Sequence, residues 1–250
     1  VPKDINIEDF DFENINDIFE ETTWENALNI TIKKLKLIKE SNPESALAGF
    51  GCAKGSNEEA YLFQKLIRTG FATNNVDHCT RLCHASSVVA LLEMIGSGAV
   101  SNQVADVTEA DVIVVIGSNP TVNHPVAATF IKNAAKDGKK LIVIDPKETQ
   151  IARHADYFLQ FKPDTDVALL NAIMKSIIDQ GLVNDEFITK RTKDFKELKK
   201  HLDDFTPEKM SKICGIDKNV IDEVAKIYAQ SNASIIFWGM GVSQHIHGTD

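Results

Sequence analysis

The 250-residue chain has no run of eighteen apolar residues, and no positively charged N-terminal leader precedes an apolar stretch. Both absences argue against a transmembrane helix and a secretory signal, so we expect a cytoplasmic protein without a membrane span. Cysteine is scarce, with 4 residues, which is too few for a disulfide scaffold in a chain of this length. With 43% apolar and 25% charged residues, the composition is that of a globular protein that buries a core.

Clustered positive charge is missing as well. The formal net charge is −9, but eight acidic side chains and one basic side chain fall within residues 1–21, so the remaining chain carries a net charge of only −2. A nucleic-acid interface requires Lys and Arg gathered on one face, and the sequence offers no such set. We therefore expect no nucleic-acid partner, and we predict that residues 1–22 form an acidic N-terminal segment.

The middle of the chain alternates apolar β-branched runs with helical patterns. The run Val112–Ile116 is apolar on both faces, which is typical of a central parallel strand covered by helices on both sides. A helix at about 125–136 and a second strand at 141–144 complete a βαβ unit. These patterns predict an α/β fold: a Rossmann-like parallel sheet with helices on both faces, plus part of a second α/β domain. The other predicted elements are helices at about 24–41, 57–69, 86–96 and 166–181, an all-helical segment at 184–231, strands at 46–50, 157–161 and 234–239, and an irregular loop at 73–84.

Polar residues follow the predicted strands at their carboxyl ends, where open parallel sheets bind ligands. The turn Gly117-Ser118-Asn119-Pro120 offers backbone N–H groups and a helix N-terminus suited to a diphosphate. Asp145, 28 residues after Gly117, stands where such folds place an acid that accepts hydrogen bonds from a ribose. Asp166 either accepts from the N–H edge of a guanine or is a helix-start acid, and both interpretations remain open. The sequence has no G-x-G-x-x-G motif, which argues against a nicotinamide nucleotide.

The segment from His78 to His84 holds the densest set of reactive side chains. A zinc site usually needs two separated ligand pairs, and the sequence has no second cysteine pair. Haem attachment requires two residues between the cysteines, whereas three separate Cys79 from Cys83. Two alternatives remain: a buried cysteine with surface histidines, or a thiolate that binds a soft metal or cofactor beside an imidazole base.

The remaining cysteine and histidine positions carry weaker signals. Cys214 lies near the end of a helical pattern, and we predict that it packs in the core. His245 and His247 alternate with Ile246, and we predict that both histidines face solvent. Cys52 lies in a glycine-flanked loop, where a structural and a chemical role are both open.

Residues 74–87 resemble the catalytic subunit of molybdopterin-dependent formate dehydrogenases. The resemblance extends from about Trp24 to the last residue, and several separated motifs occur in the same order. These motifs are Ser101-Asn102, Gly117-Ser118-Asn119-Pro120 with His124-Pro125, Asp145-Pro146-Lys147, Lys162-Pro163-Asp164-Thr165-Asp166, and Trp238-Gly239-Met240-Gly241-Val242-Ser243-Gln244.

The resemblance implies a role for each matching residue. Cys83 would ligate molybdenum or tungsten, and His84 would accept the proton that formate loses. The cofactor would be a bis-molybdopterin guanine dinucleotide. At Lys147 many relatives have Arg, and Lys keeps the charge but lacks the planar guanidinium fork. The residues implied to hold the cofactor are Gly117, Ser118, Asn119, Asp145, Lys147, Asp166, Gly239, Met240 and Gln244.

The resemblance also implies how the chain is organised and what surrounds it. Residues 23–78 would form a partial α/β domain that downstream sequence completes in the family, and residues 79–250 the Rossmann-like cofactor-binding domain. The ligands of the 4Fe-4S cluster expected in the full-length protein are absent from this chain, as is a downstream arginine that helps hold formate. We therefore expect this chain to be an internal portion, about a third, of a longer enzyme. We expect it to be inactive in isolation.

The implied partners are formate or carbon dioxide and an electron-transfer subunit or domain with iron–sulfur clusters. Two alternatives remain at this stage. The first is a non-catalytic scaffold that binds a nucleotide or pterin. The second is a related molybdopterin oxidoreductase that acts on another small substrate.

Overall fold

The computed structural model of the protein describes residues 19–42, 47–100 and 102–249. It divides into two compact units, of which the first ends at Arg81 and the second begins at Leu82. Most of the predicted acidic segment, the first residue of the strand predicted at 46–50, and Ser101 lie outside the described residues. The domain boundaries predicted after residues 22 and 78 remain predictions.

Two short parallel strands and two helices characterise the first unit. Its elements are α1 (Trp24–Ser41), β1 (Gly49–Gly51), α2 (Asn57–Lys65), a π-helical turn (Leu66–Gly70) and β2 (Val76–His78). The hydroxyl of Ser56 accepts from the backbone N–H of Glu59, and the Glu59 carboxylate accepts from the backbone N–H of Ser56. This capping box explains why α2 begins at residue 57.

The prediction of an irregular loop at 73–84 is wrong in part. Residues 76–78 form β2, and helix α3 (Thr80–Cys83) follows it. Strand β2 spans only three residues and depends on parallel pairing with β1, in which Val76 lies opposite Gly49. Because that pairing joins residues far apart in sequence, the local hydrophobic pattern does not predict the strand.

The second unit is built on a four-stranded parallel sheet with the strand order β5-β4-β3-β6. The strands are β3 (Val112–Ile116), β4 (Lys140–Ile144), β5 (Tyr157–Leu159) and β6 (Ser234–Trp238). The helices are α4 (Ala85–Ile95), α5 (Pro120–Asn123), α6 (Pro125–Lys136), α7 (Asp166–Asp179), α8 (Asp185–Arg191), α9 (Phe195–His201), α10 (Pro207–Cys214), α11 (Lys218–Ala229) and α12 (Met240–Ser243). Short 3-10 helices lie at Val104–Thr108, Gln150–His154 and Leu202–Asp204.

Helices cover both faces of this sheet, as predicted. All five residues of β3 are buried, and successive side chains point to opposite faces. Val112, Val114 and Ile116 pack with residues of α7, α10 and α11, including the fully buried Cys214. Ile113 and Val115 pack with residues of α6 and of the 3-10 helices at 104–108 and 150–154. The α/β fold class and the core position of Cys214 are therefore confirmed.

The strand and helix positions agree with the predictions except at element ends. Strand β5 stops at Leu159, two residues early, because the backbone N–H of Phe161 turns back to the Leu159 carbonyl. The segment predicted as all-helical is divided into α8 to α11, and Thr206 and Asp217 cap α10 and α11. Within the part of the chain that the structure describes, no helix has both the length and the apolar character needed to cross a bilayer.

Candidate cofactor-binding site

The carboxyl ends of β3 and β6 bring two glycine-containing turns together. Ile116 and Trp238 are paired in the sheet, so the turns that follow them start side by side. The backbone N–H of Gly239 donates to the Ile116 carbonyl at 3.1 Å, and that of Gly241 donates to the Gly117 carbonyl at 3.2 Å. These bonds fix the two turns against each other at the sheet edge where parallel α/β folds bind ligands.

Close approach of the two turns requires glycine at positions 117 and 241. Gly117 has a φ of +56°, and a Cβ added there would lie 2.8 Å from the backbone nitrogen of Val242. A Cβ on Gly241 would lie 2.7 Å from the Gly117 carbonyl oxygen. The turns therefore present bare backbone, which allows close approach of a ligand.

A cavity of about 470 Å³ lies on one side of the paired turns. Its wall includes His84, Asn119, His124 and Trp238, together with both turns. The hydroxyl of Thr121 donates to the side-chain oxygen of Asn119 at 2.6 Å. Amide, imidazole, indole and backbone groups therefore dominate the polar part of this first cavity, and none of the described residues that line it is an acid.

A second cavity, of about 310 Å³, lies on the other side and shares Gly117, Met240 and Gly241 with the first. Its polar wall is acidic, because Asp145, Asp164 and Asp166 all line it. Such a wall favours ligand groups that donate hydrogen bonds and disfavours a phosphate. The remaining polar side chains in this wall are Gln244 and His245.

Two of these carboxyl groups are perturbed by their surroundings. Burial raises the pKa of Asp145, although the backbone N–H and the charge of Lys147 oppose the shift. Burial also raises the pKa of Asp166, where the group's own backbone N–H and His245 favour the ionised form, and Asp164 and Asp145 disfavour it. Raised carboxyl pKa values at a cavity wall are common at functional sites because such groups are held ready for a ligand.

Cys83 lies directly beside the second turn. Its Sγ atom is 3.2 Å from the Sδ atom of Met240. The side-chain amide of Gln244 donates to the backbone carbonyl of Leu82 at 3.1 Å and also to that of Cys83. Residue 83 is therefore held against the segment from Met240 to Gln244, through its side chain and its backbone.

His84 is oriented by a short hydrogen-bonded chain. Its Nδ1 atom is 2.9 Å from the hydroxyl oxygen of Ser87, and the indole N–H of Trp238 donates to the same hydroxyl at 3.2 Å. Ser87 is buried, with 7% of its surface exposed. Ser87 therefore engages Nδ1, and Nε2 is the ring nitrogen that this hydrogen-bonded chain does not use.

Most of the predicted site residues converge here. Cys83 and His84 lie beside the turns that contain Gly117, Ser118, Asn119, Gly239 and Met240, and Asp145, Asp166 and Gln244 line the second cavity. Lys147 is exposed, and its backbone N–H donates to the Asp145 carboxylate at 2.8 Å. Asp166 is the first residue of α7 and also lines the cavity. Its position therefore agrees with both interpretations, a helix-start acid and a ligand-binding acceptor.

Sequence reasoning missed the roles of two ionisable residues of the second cavity, His245 and Asp164. The prediction that His245 faces solvent is wrong, because its ring contacts Asp164 at 3.0 Å and Asp166 at 3.4 Å. Asp164 has a φ of +65°. It lies in the motif at residues 162–166, in which the resemblance implies a role for Asp166 alone. Both side chains reach the cavity because the ends of β5 and β6 face the same edge of the sheet, a relation that sequence spacing does not reveal.

The residues present fit a metal–pterin nucleotide cofactor. Two cavities flank one glycine-paired backbone ridge, an arrangement suited to a ligand with two extended arms. The acidic cavity suits guanine and ribose donors, and the first cavity offers bare backbone. Cys83 supplies a sulfur donor of the kind that soft metals prefer, so a bound cofactor would supply the remaining metal ligands.

Comparisons with known proteins support a molybdopterin cofactor. A sequence model of the family described as Molybdopterin oxidoreductase matches residues 14–250. The F420-dependent formate dehydrogenase subunit alpha of Methanocaldococcus jannaschii is 43% identical over 232 residues, which is 93% of this chain and 34% of that protein. Formate dehydrogenase H of Escherichia coli is 38% identical over 232 residues, 92% of this chain and 32% of that protein.

A solved structure shows the same fold. The acetylene hydratase of Pelobacter acetylenicus superposes with a TM-score of 0.75 and 25% sequence identity, covering 89% of this chain and 30% of that one. The chain thus spans about a third of the length of the relatives that it matches.

Proposed function

This chain belongs to the molybdopterin oxidoreductase family, and from that membership we propose that it is part of a formate dehydrogenase catalytic subunit. The proposed reaction is the oxidation of formate to carbon dioxide, or its reverse, at a bis-molybdopterin guanine dinucleotide centre of molybdenum or tungsten. The observation that carries the proposal is the placement of Cys83 and His84 beside the two paired glycine turns. The similarity to formate dehydrogenase subunits along 92–93% of the chain supports the choice of substrate.

Cys83 and His84 take the two chemical roles. Cys83 would hold the metal through its sulfur, and Gln244 fixes the backbone that carries this side chain. His84 accepts the proton of the formate C–H bond at Nε2, in the tautomer whose Nδ1–H donates to the hydroxyl oxygen of Ser87. Formate thereby becomes carbon dioxide, one proton and two electrons, and uptake of the two electrons is the chemistry that the bound cofactor supplies.

The two cavities take the nucleotide arms of the cofactor. Asn119 and the backbone of Gly117 and Ser118 line the cavity that would hold one arm. In the other cavity, Asp145 and Asp166 would accept hydrogen bonds from ribose and guanine. This assignment follows charge: a diphosphate beside three carboxylates would be repelled, whereas guanine and ribose present neutral donors.

Cofactor analysis tests the proposal. The native polypeptide that carries this sequence is purified, its metal is measured by mass spectrometry, and acid hydrolysis is followed by assay of guanosine monophosphate. Molybdenum or tungsten together with guanosine monophosphate and formate oxidation supports the proposal. A folded protein with neither metal nor guanosine monophosphate is the result expected of a non-catalytic scaffold, and it overturns the proposal. Metal and nucleotide without formate oxidation would assign a different small substrate.

A further inference from the structure

The ring of His245 faces hydrogen-bond acceptors on both of its nitrogens. Nε2 lies 2.7 Å from the backbone carbonyl oxygen of Gly241 and 3.4 Å from a carboxylate oxygen of Asp166. Nδ1 lies 3.0 Å from a carboxylate oxygen of Asp164. The ring therefore bridges α12, the first turn of α7 and the loop before it.

This arrangement favours the protonated form of the ring. A carbonyl oxygen only accepts hydrogen bonds, and so does an ionised carboxylate such as that of Asp164, whose side chain is 84% exposed. A neutral imidazole has one N–H and satisfies one of the two positions. Both contacts are satisfied together only when both nitrogens carry hydrogen, so the geometry favours an imidazolium cation at His245.

The same charge matters to the buried carboxyl group beside it. The Asp166 side chain is only 7% exposed, and Asp145 and Asp164 add negative charge around it. Among the described residues that line the second cavity, His245 is the only basic side chain. The imidazolium is thus the nearby positive charge that favours an ionised, acceptor-only Asp166 at the cavity wall.

We propose that His245 is a positioning residue for the guanine end of the cofactor: as a cation it holds Asp166 ionised and in place to accept from the guanine N–H edge. The proposal rests on the function proposed above and adds a residue and a specificity to it. Guanine presents N1–H and the N2 amino group as adjacent donors, and a carboxylate accepts from both. Adenine presents an acceptor at N1, so the same ionised group would repel it.

The proposal predicts a dependence on pH. The Gly241 carbonyl raises the pKa of His245, and Asp166 and Asp164 raise it further, against a smaller opposing effect of burial. The charged groups that face this ring are Asp164 and Asp166, and Asp145 lies behind them at the end of β4. Because the pKa is raised, the cation is fully present below the ordinary histidine value and is lost as pH rises through the higher value. Above it, one ring nitrogen turns a lone pair toward an acceptor and Asp166 loses its counter-charge.

Cofactor retention in the purified holoprotein tests the proposal without relying on activity. Wild type and His245→Gln are incubated at about pH 6 and about pH 9, below and above the expected titration. The protein is then separated from released material, and retained guanosine monophosphate is assayed. We expect release from wild type to be roughly tenfold faster at the higher pH, the effect of one charge-assisted hydrogen bond. His245→Gln should release rapidly at both pH values, and His154→Gln, at an exposed histidine, should behave like wild type.

Nuclear magnetic resonance of the wild-type imidazole groups gives a second readout that does not depend on the variant's folding. The His245 ring should titrate above the ordinary value of a histidine side chain, and Asp164→Asn should lower its midpoint. Two results overturn the proposal while leaving the function intact: a metal- and nucleotide-loaded protein in which His245 titrates at or below that ordinary value, or equal release by wild type and His245→Gln. A protein without metal and nucleotide overturns both.

Discussion

The Sγ atom of Cys83 lies 3.2 Å from the Sδ atom of Met240, although the two residues are 157 positions apart in sequence. Met240 belongs to the turn after β6 and lines both cavities, whereas Cys83 ends the short helix α3. Contact between the two sulfur atoms therefore links the residue proposed to bind the metal with the backbone ridge proposed to separate the two arms of the cofactor.

Removal of the sulfur donor should abolish the reaction. Cys83→Ala deletes the proposed metal ligand and leaves the hydrogen bonds from Gln244 to the backbone in place. We expect the cofactor-containing enzyme to lose formate oxidation while its thermal unfolding midpoint stays close to that of wild type. Turnover at the wild-type rate under metal-replete conditions would refute the assignment of Cys83.

Ser87→Ala should act through His84. The change removes the hydroxyl that joins His84 to Trp238, so the imidazole loses its fixed orientation. We expect kcat for formate oxidation to fall by about tenfold, part of the effect of a positioned general base, with metal content and KM little changed. His84→Ala should likewise reduce the rate more than the cofactor content.

Ser86→Ala is the matched control for this experiment, since it removes the adjacent serine hydroxyl of the same helix. The control should keep the wild-type kcat. Equal losses in Ser86→Ala and Ser87→Ala would show that the hydroxyl of Ser87 has no specific role in orienting His84.

Gly117→Ala should destabilise the chain more than an alanine at another glycine of similar φ. The new Cβ would meet backbone atoms at 2.8–2.9 Å, and overpacking of this kind costs about 1–3 kcal/mol in addition to the backbone strain. Gly181 has a φ of +67° and nothing within 4 Å of an added Cβ, so Gly181→Ala reports the strain alone, about 1–2 kcal/mol.

Denaturant unfolding of the two variants gives this comparison. If Gly117→Ala proves no less stable than Gly181→Ala, the close packing of the two turns does not contribute to stability in solution.

Asp145→Asn should stabilise the unliganded chain at neutral pH. Burial raises the pKa of Asp145 above its ordinary value, so the ionised group costs stability above the raised pKa and not below the ordinary one. The amide oxygen of Asn still accepts from the Lys147 backbone N–H, and only the buried charge is removed. We expect a gain in Tm of about 2 °C near pH 7, and a smaller gain as the pH falls through the raised pKa.

Glu148→Gln, which neutralises an exposed acid three residues away, is the control and should leave Tm unchanged. The same Asp145→Asn change should weaken cofactor retention, because the neutral amide is a poorer acceptor than a carboxylate. An unchanged Tm together with unchanged retention would mean that the buried charge of Asp145 costs no stability and that Asp145 does not help to hold the cofactor.

Local sequence patterns predicted the positions of the main strands, but they did not predict how the strands pair. The buried run at 112–116 and the strand at 141–144 follow from β-branched residues covered on both faces, because that preference acts within a few residues. The strand order β5-β4-β3-β6 and the pairing of β1 with β2 depend on contacts between distant segments, and periodicity carries no information about them.

The candidate site shows the same division. Cys83 and His84 were recognisable from a motif with its own sequence signature. His245 was predicted to face solvent, since alternation with Ile246 is typical of an exposed polar position, yet the fold places its ring 3.4 Å from the buried Asp166. An ion pair between residues 79 positions apart arises only from topology, and the sequence holds no local sign of it.

X-ray absorption at the molybdenum or tungsten edge of the purified holoprotein tests the central assignment most directly. The account predicts that Cys83→Ser, at equal metal content, loses one sulfur neighbour from the metal's first coordination shell and gains an oxygen neighbour. An unchanged number of sulfur neighbours in the metal-loaded Cys83→Ser protein would contradict it.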